Sequence, residues 1–578
     1  MGILDKGVDF LRAGNIDLAI EYFLAASLEY PENDGVYRFL GKSYASLGDK
    51  NKASKAIETA IRINPEQPMW LYKLLAETKL NFVYIEDAEG ILPSNVIDTL
   101  IDTVKLEAFL GLEGSAPCST EGDGKLGNKI ICNALVNKKI TFISPIDGSK
   151  ESTEYSLMDD AYFFKNGKFL LTFFSDWANP FLFFQIYLVD KNTVVFGYLD
   201  QQSELHTYNK KPHSFMMYYA NLLRTMTLYK KDIESYLKHP IKQVILSNQN
   251  FKHLGHAIWN GVSATNPLLY RDIVLPQKVI SFVPQATVLP SYLKGVEHLI
   301  SNENEQNISD KNNYQNQVFK LSIKANYVHE STANQIVKGA FSSISNDKIK
   351  EIIKFRESHF PIILIGLRCG TRAWLNQEVG YAELINNVLL HYPNAGFIID
   401  GMNSIESEVH SSHANIDLSA ELQISAALKG KHSSIISLVG CSVNLSFTWG
   451  EIVDFFVAPW GAGLAKYKWV NNIKGVVYSS KCVLEEKNDL HIYDDEKYRE
   501  FAIPDFWLPS SYSSNSNYKT LADYKADNPT GNAYYYQSFN IDSKELSKIV
   551  LEYLSGISPF MKELKYKSLK VISSIGGV

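Results

Sequence analysis

Residues 361–374 read PIILIGLRCGTRAW. Four consecutive apolar residues, Ile362 to Ile365, end at a glycine, and polar sequence with a second glycine follows. A short, wholly apolar run of this kind is typical of a strand buried on both faces of a parallel sheet. Helix-like sequence at 382–390 and another apolar run ending in glycine at 396–401 come next. This alternation predicts a βαβ unit.

The same alternation extends along the chain in both directions. Apolar runs recur downstream at 434–439, 456–458 and 475–478, and upstream at 243–247 and 279–283, with helix-like sequence among them. Two α/β sections in tandem are therefore predicted.

A region with a different residue pattern precedes the two α/β sections. Between about 125 and 208, short β-rich runs at 139–143, 169–174 and 193–196 are separated by turn residues such as Asp-Gly and Asn-Gly. This pattern predicts a β-rich insert ahead of the α/β sections.

The N-terminal part contains an internal repeat with a period of 34 residues. Small residues and a proline recur in pairs at this offset: Gly14 and Gly48, Ala19 and Ala53, Ala26 and Ala60, Pro31 and Pro65. Small side chains allow two antiparallel helices to approach closely, and proline cannot continue a helix. The period and these positions resemble the tetratricopeptide repeat, although a plain helical hairpin would share some of them.

Composition narrows the functional classes. The 578 residues include 57 basic and 63 acidic side chains, and the formal net charge of −6 argues against a general nucleic-acid partner. Five cysteines without a CxxC pair suggest reduced thiols rather than a zinc site. No uncharged apolar stretch of 18 residues occurs, and the first residues lack the apolar core of a signal peptide. We therefore expect a cytoplasmic protein without a membrane span.

The first candidate binding segment follows the strand predicted at 361–366. Arg368 and Arg372 flank a glycine there, and Asn376 lies in the same segment. Ligands of open α/β sheets bind at the carboxyl ends of the strands, and guanidinium groups bind phosphate oxygens in a fork. A salt-bridged loop is the plainer alternative.

The second candidate is APWGAGL at 458–464, where a predicted strand feeds a turn containing Gly461 and Gly463. Glycine lets backbone approach a ligand closely, and a helix N-terminus offers unpaired N–H groups to an anion. By itself the pattern fits a tight structural turn equally well.

The third candidate is LGHAIWN at 254–260, which follows the strand predicted at 243–247. His256 could act as a general base on an acceptor hydroxyl, or could cap a helix or pack in a core. Asp400, at the end of the strand predicted at 396–401, is the second candidate base. No Asp-x-Asp pair lies at a convincing strand end, so we expect no obligatory metal.

These motifs, in this order over about 242–480, resemble the family 61 glycosyltransferases, with their arginine-rich motif and APHGAGL turn. The resemblance implies an inverting enzyme with a two-lobed GT-B-like fold. By the same resemblance, Arg368 and Arg372 contact the donor's diphosphate, whereas Glu451 lies near the nucleotide. The glycine turn, including Ala462, lines the donor pocket. Trp460 replaces the family's usual histidine, and an aromatic face there could stack on a base or sugar ring.

The predicted organisation has five parts: a tetratricopeptide-like helical repeat (1–85), a connecting helix and β-rich region (86–215), an N-terminal α/β lobe on the acceptor side (216–345), a C-terminal α/β lobe on the nucleotide-sugar side (346–540) and a C-terminal helix (541–578).

The function expected is transfer of a sugar from a nucleotide-sugar donor, with a UDP-sugar favoured, to a glycan or protein acceptor in bacterial surface polysaccharide or glycoprotein synthesis. A protein partner or self-association is expected through the repeat. Two alternatives stay open: a non-catalytic scaffold with a degenerate glycosyltransferase domain, and another nucleotide-using α/β enzyme such as an epimerase. The second is weakened by the absence of a GxGxxG fingerprint after an early strand.

Overall fold

The computed structural model describes residues 2–112, 126–158, 161–174, 183–199, 215–248, 254–264, 278–281, 297–300, 312–323, 325–403, 412–428, 434–487, 490–515 and 537–557. The chain divides into two compact units. The first comprises Met1–Ser247, Ile273–Val279 and Ser301–Ile323, and the second comprises Asn248–Asp272, Ile280–Ile300 and Lys324–Val578. The domain bounds drawn from the sequence stay predictions.

Helices open the first unit: α1 (Ile3–Arg12), α2 (Ile16–Glu29), α3 (Asp34–Ser46), α4 (Lys50–Ile63) and α5 (Met69–Lys79). Gly14 and Gly48 follow α1 and α3 with φ values of +80° and +78°, the left-handed conformation that commonly terminates a helix. The paired alanines at the 34-residue offset are fully buried. The predicted helical repeat is thus confirmed in its period and in its contacts.

A second pair of glycines shows the repeat at the level of packing. A Cβ atom on Gly7 would lie 2.6 Å from Phe23, and one on Gly41 would lie 2.6 Å from Ile57. Both the glycines and the side chains that they face are 34 residues apart. The close approach of paired helices therefore depends on a missing side chain at the same place in each repeat.

The remainder of the first unit is largely β-sheet, as predicted. Its elements are β1 (Asn81–Tyr84), α6 (Ser94–Leu100), α7 (Thr103–Leu110), α8 (Leu126–Asn137), β2 (Ile140–Ile143), β3 (Lys150–Thr153), β4 (Ser156–Leu157), β5 (Ala161–Phe164), β6 (Phe169–Phe174), β7 (Phe183–Leu188) and β8 (Thr193–Tyr198). Six strands form a sheet in the order β1-β8-β7-β6-β5-β4. Only the β1–β8 pair of this sheet is parallel, so the sheet is mainly a run of antiparallel hairpins.

Two helices and four short strands come next along the chain: α9 (Met216–Leu228), α10 (Lys230–Tyr236), β9 (Gln243–Asn248), β10 (Lys278–Ser281), β11 (Glu297–Ile300) and β12 (Val318–Ile323). Of these, β11 belongs to the second unit. Helix α9 packs against α5, and its Tyr219 and Leu222 share a core with Leu170 and Tyr187 of the sheet. One core thereby joins the repeat to the β-rich region.

The second unit has the alternating pattern that the sequence predicts. Its elements are α11 (Leu254–His256), a π-helix at Ala257–Val262, α12 (Glu330–Ser343), α13 (Asn346–Ser358), β13 (Ile362–Gly366), α14 (Gln377–His391), β14 (Gly396–Asp400), α15 (Ser412–Ala427), β15 (Ile435–Ser437), α16 (Val443–Gly450), β16 (Phe455–Pro459), a π-helix at Ala465–Val470, β17 (Gly475–Tyr478), α17 (Lys481–Glu486), β18 (Phe506–Trp507) and α18 (Ser543–Ser555). Helix α18 at Ser543–Ser555 lies within the predicted C-terminal part, and residues 558–578 lie outside the described part of the chain.

Strands β13 to β18 form one parallel sheet in the order β15-β14-β13-β16-β17-β18. Ile362 to Ile365 are fully buried, as their apolar run predicts. The chain builds β14 and β15 on one side of β13 and then returns to place β16 on the other. Neighbouring strands at such a reversal leave a crevice outside their carboxyl ends, where open α/β sheets bind ligands. The segments that follow β13 and β16 carry the first two candidate motifs.

These features confirm the predicted fold class, a helical N-terminal repeat followed by mixed α/β structure with a parallel sheet. Within the described residues, no helix combines the length and apolar character needed to cross a membrane.

Candidate functional site

The segment between β13 and α14 has an unusual backbone. Gly370, Arg372 and Asn376 adopt φ values of +82°, +59° and +66°. For residues other than glycine this left-handed conformation costs roughly 1–2 kcal/mol each, and such strain is concentrated at ligand-binding sites. The strain therefore marks the segment that holds both arginines as a candidate site.

Several contacts hold this segment in place. The side chain of Gln377 accepts a hydrogen bond from the Arg368 backbone N–H at 3.3 Å and donates one to the Arg368 carbonyl at 3.0 Å. The Arg368 Nε atom donates to the Thr371 carbonyl at 2.8 Å. Farther along, the Leu375 N–H donates to the carbonyl of Phe539 at 2.7 Å. Arg368 is thus fixed through both its backbone and its guanidinium group.

The turn after β16 is tight and short. The backbone N–H of Trp460 donates to Tyr478 of β17 at 2.7 Å, and that of Leu464 donates to the Gly461 carbonyl at 3.0 Å. Gly461 is buried with φ +153°, whereas Ala462 is half-buried and Gly463 is exposed. The turn leads directly into the π-helix at Ala465–Val470.

The first two candidate motifs meet at Gly461. A Cβ atom on this residue would lie 2.8 Å from Nη1 of Arg368, closer than side chains tolerate. The guanidinium group of one motif therefore rests against the backbone of the other, and the sequence motif requires a glycine for this contact.

Two more cations lie against Trp460 at this junction. Cζ of Arg372 lies 5.4 Å from the centre of the indole ring, and Nζ of Lys487 lies 5.2 Å from it. Both distances are within the range of a cation–π attraction. Trp460 is only 6% exposed. Three positive side chains, Arg368, Arg372 and Lys487, thus lie around the turn at the reversal point of the sheet.

Asp400 ends β14 beside this junction and is fully buried. Its Oδ2 atom accepts hydrogen bonds from Ser446 at 2.8 Å and Tyr467 at 2.9 Å, and lies 2.6 Å from Nζ of Lys466. The Gly401 N–H donates to Oδ1 at 3.0 Å. Because so many donors hold this carboxylate, we interpret Asp400 as a residue that positions its neighbours. Its action as a base stays a prediction.

His256 ends α11, which contacts the π-helix at Ala465–Val470. Its Nδ1 atom lies 2.8 Å from Oδ1 of Asn260. The amide nitrogen of Asn260 donates to the Ala325 carbonyl at 2.7 Å, which fixes the amide orientation. Because Oδ1 can only accept, Nδ1 carries the proton, and Nε2 is the ring nitrogen suited to take up another.

The structure brings the two arginines, Trp460 and the glycine turn together, but Glu451 is elsewhere. Glu451 follows α16 and precedes β16, at the amino end of that strand. Its Oε1 atom accepts a hydrogen bond from Asn471 at 2.7 Å, which ties α16 to the end of the neighbouring π-helix. That Glu451 lies near a nucleotide stays a prediction.

Cys369 lies between the arginines. Burial, followed by a hydrogen bond to Asp417, raises the pKa of its thiol to about 12. The thiol is therefore neutral near pH 7 and unsuited to act as a nucleophile. Among the described residues, no cluster of three or more histidine, cysteine or acidic side chains could hold a metal ion. The expectation that no metal is required stays a prediction.

Sequence reasoning missed two groups at the junction. Gln377 stands beside the candidate motif, but nothing in the sequence indicates that its amide clamps the backbone of Arg368. Lys487 lies more than 20 residues after the glycine turn in an ordinary charged stretch. Only the packing of α17 after β17 brings it to Trp460.

The helical repeat has a match among known families: residues 36–67 fit the family model described as tetratricopeptide repeat. Comparison with curated proteins yields no match.

Three solved structures show weak similarity. A family 9 glycosyl transferase from Veillonella parvula DSM 2008 aligns at 8% identity and TM-score 0.31, covering 55% of this chain and 98% of that one. A mutant O-GlcNAc transferase from Thermobaculum terrenum aligns at 8% identity and TM-score 0.24, covering 100% and 93%. The N-terminal domain of a Candida albicans trehalose-6-phosphate phosphatase aligns at 9% identity and TM-score 0.25, covering 63% and 73%. These TM-scores are too low to support an inference about fold or activity, and the repeat match covers only a small part of the chain.

Proposed function

We propose that the second unit binds a nucleotide-sugar donor at the carboxyl ends of β13 and β16 and transfers the sugar to a glycan or protein acceptor with inversion. A UDP-sugar is the favoured donor. The expected setting is bacterial surface polysaccharide or glycoprotein synthesis.

The observation that carries the proposal is the contact of Arg368 with Gly461. It joins two motifs, nearly 100 residues apart in sequence, at the point of an α/β sheet where ligands bind. Arginine forks and glycine backbone are the groups that bind a diphosphate. The resemblance of these motifs to family 61 glycosyltransferases points to the same chemistry.

In the proposed reaction, the acceptor oxygen attacks the anomeric carbon and the bond from that carbon to the diphosphate oxygen breaks. Arg368 and Arg372 stabilise the negative charge that develops on the leaving diphosphate. The acceptor proton passes to a base, for which His256 through Nε2 is the first candidate and Asp400 the second. Asn260 sets the tautomer of His256.

The helical repeat supports a role in protein interaction, because such repeats present extended surfaces to partners. We propose that it binds the acceptor or a protein partner, or mediates self-association. Light scattering of the purified chain at several concentrations separates self-association from a monomer.

Thermal shifts with UDP, GDP, CMP and their sugars test the donor site. A ligand present at 100 times its dissociation constant should stabilise the protein by about 2.7 kcal/mol. We expect a shift with one nucleotide class and its loss in Arg368→Ala. Arg62→Ala is the matched control, since it removes the same charge from the exposed surface of α4 in the first unit.

If none of the nucleotides gives a thermal shift, the proposed donor site is contradicted and the scaffold alternative is favoured. A shift that persists in Arg368→Ala would show that the nucleotide binds elsewhere. Release of UDP from a UDP-sugar by the wild type then distinguishes a transferase from a protein that only binds nucleotide.

A further inference from the structure

The indole of Trp460 has two cations against it. Arg372 reaches it from the segment after β13, and Lys487 reaches it from the end of α17, which follows β17. Trp460 itself follows β16. Segments after three adjacent strands therefore converge on one buried aromatic ring.

Cζ of Arg372 and Nζ of Lys487 thus lie within 5.4 Å of one ring centre. The negative face of an indole attracts cations, and this attraction is stronger where water is excluded. The buried indole Nε1 atom of Trp460 also has no hydrogen-bond partner within the described ranges. A cluster with this charge and this unsatisfied donor is suited to a polyanion with several acceptor oxygens.

We propose that Lys487 is a third diphosphate-binding group of the donor site, and that Trp460 positions Lys487 and Arg372 for this role. The proposal rests on the proposed function and extends it. It also gives a task to Trp460, which stands where the resemblance expects a histidine: the indole holds two cations. A diphosphate, with more charge than a single phosphate, is then the preferred ligand.

Calorimetric titration with UDP and UMP, and with GDP and GMP, tests this. Lys487→Gln should lower the affinity for the diphosphate by about tenfold to a hundredfold, the range for one hydrogen bond to a charged group, and that for the monophosphate much less. Lys481→Gln is the control on the same helix, because its side chain is exposed and lies 3.9 Å from Glu485. It should bind both ligands as the wild type does.

A double-mutant cycle tests the positioning role of Trp460. Trp460→Leu should weaken diphosphate binding, and adding Lys487→Gln should weaken it little further, since the lysine is already displaced. Trp460→Phe keeps an aromatic face and should retain most of the affinity, and it replaces Trp460→Leu in the cycle if that variant does not fold.

The results separate the two proposals. Wild-type diphosphate affinity in Lys487→Gln, together with loss of affinity in Arg368→Ala, overturns the role of Lys487 and leaves the donor site intact. Additive losses in the cycle overturn the positioning role of Trp460. If the wild type binds neither UDP nor GDP, the proposed function fails and the role of Lys487 fails with it.

Discussion

Replacement of Gly461 by alanine tests the contact on which the candidate site depends. The new Cβ atom would lie 2.8 Å from Nη1 of Arg368, whereas ordinary contacts begin at 3.4 Å, so the guanidinium group must retreat by about 0.6 Å or more. That group is anchored to the Thr371 carbonyl, which limits its retreat. The φ of +153° adds strain for any residue with a side chain.

Together these effects should lower the free energy of unfolding by about 1–3 kcal/mol. Displacement of Arg368 should also weaken UDP binding by about tenfold, or roughly 1.4 kcal/mol. Urea denaturation monitored by tryptophan fluorescence measures the first effect, and calorimetric titration measures the second.

Gly463→Ala is the matched control in the same turn. A Cβ atom there meets nothing within 4 Å, and the residue is exposed. It should stay within about 0.5 kcal/mol of the wild type and bind UDP equally well. If Gly461→Ala behaves like Gly463→Ala, the close contact between the two motifs is refuted.

Three further predictions follow from individual contacts. Gly41→Ala should lower the free energy of unfolding by about 1–3 kcal/mol because its Cβ would overlap Ile57. In an unobstructed helix, the same replacement of glycine by alanine usually stabilises the protein. A more stable variant in urea denaturation contradicts the packing of α3 on α4. Asn260→Ala should lower kcat for sugar transfer while UDP affinity stays unchanged, because the variant loses the contact that sets the tautomer of His256 and leaves the arginines and the glycine turn in place. Equal kcat values in a UDP-release assay argue against His256 as the base. Cys369 should react with iodoacetamide at pH 8 far more slowly than in the unfolded chain, since a pKa of about 12 leaves roughly one thiol in ten thousand ionised. Its rate should rise about tenfold per pH unit. Rapid alkylation at pH 8, mapped by mass spectrometry, contradicts the raised pKa of this thiol.

The fold was predictable where one local rule decides the outcome. Ile362 to Ile365 form a strand buried on both faces because an uninterrupted apolar run cannot face water on either side. The 34-residue period likewise indicates paired helices, since small residues recur where the helices touch. Local sequence was sufficient in both cases.

The site was predictable only in part, because it depends on contacts between distant segments. Strand ends and glycines identify the arginine segment and the turn, but the contact of Arg368 with Gly461 requires the strand order of the sheet. The burial of Asp400 among Ser446, Tyr467 and Lys466 is equally invisible in sequence. Glu451 shows the converse, since its place before β16 puts it away from the strand ends that carry the arginines.

The most direct test of the donor site is a crystal structure of the chain with UDP. We expect the diphosphate at the carboxyl ends of β13 and β16, with its oxygens within hydrogen-bond distance of Arg368 and Arg372 and facing the turn at Gly461. A nucleotide bound away from these residues, or no bound nucleotide at saturating UDP and GDP, would contradict the proposed function.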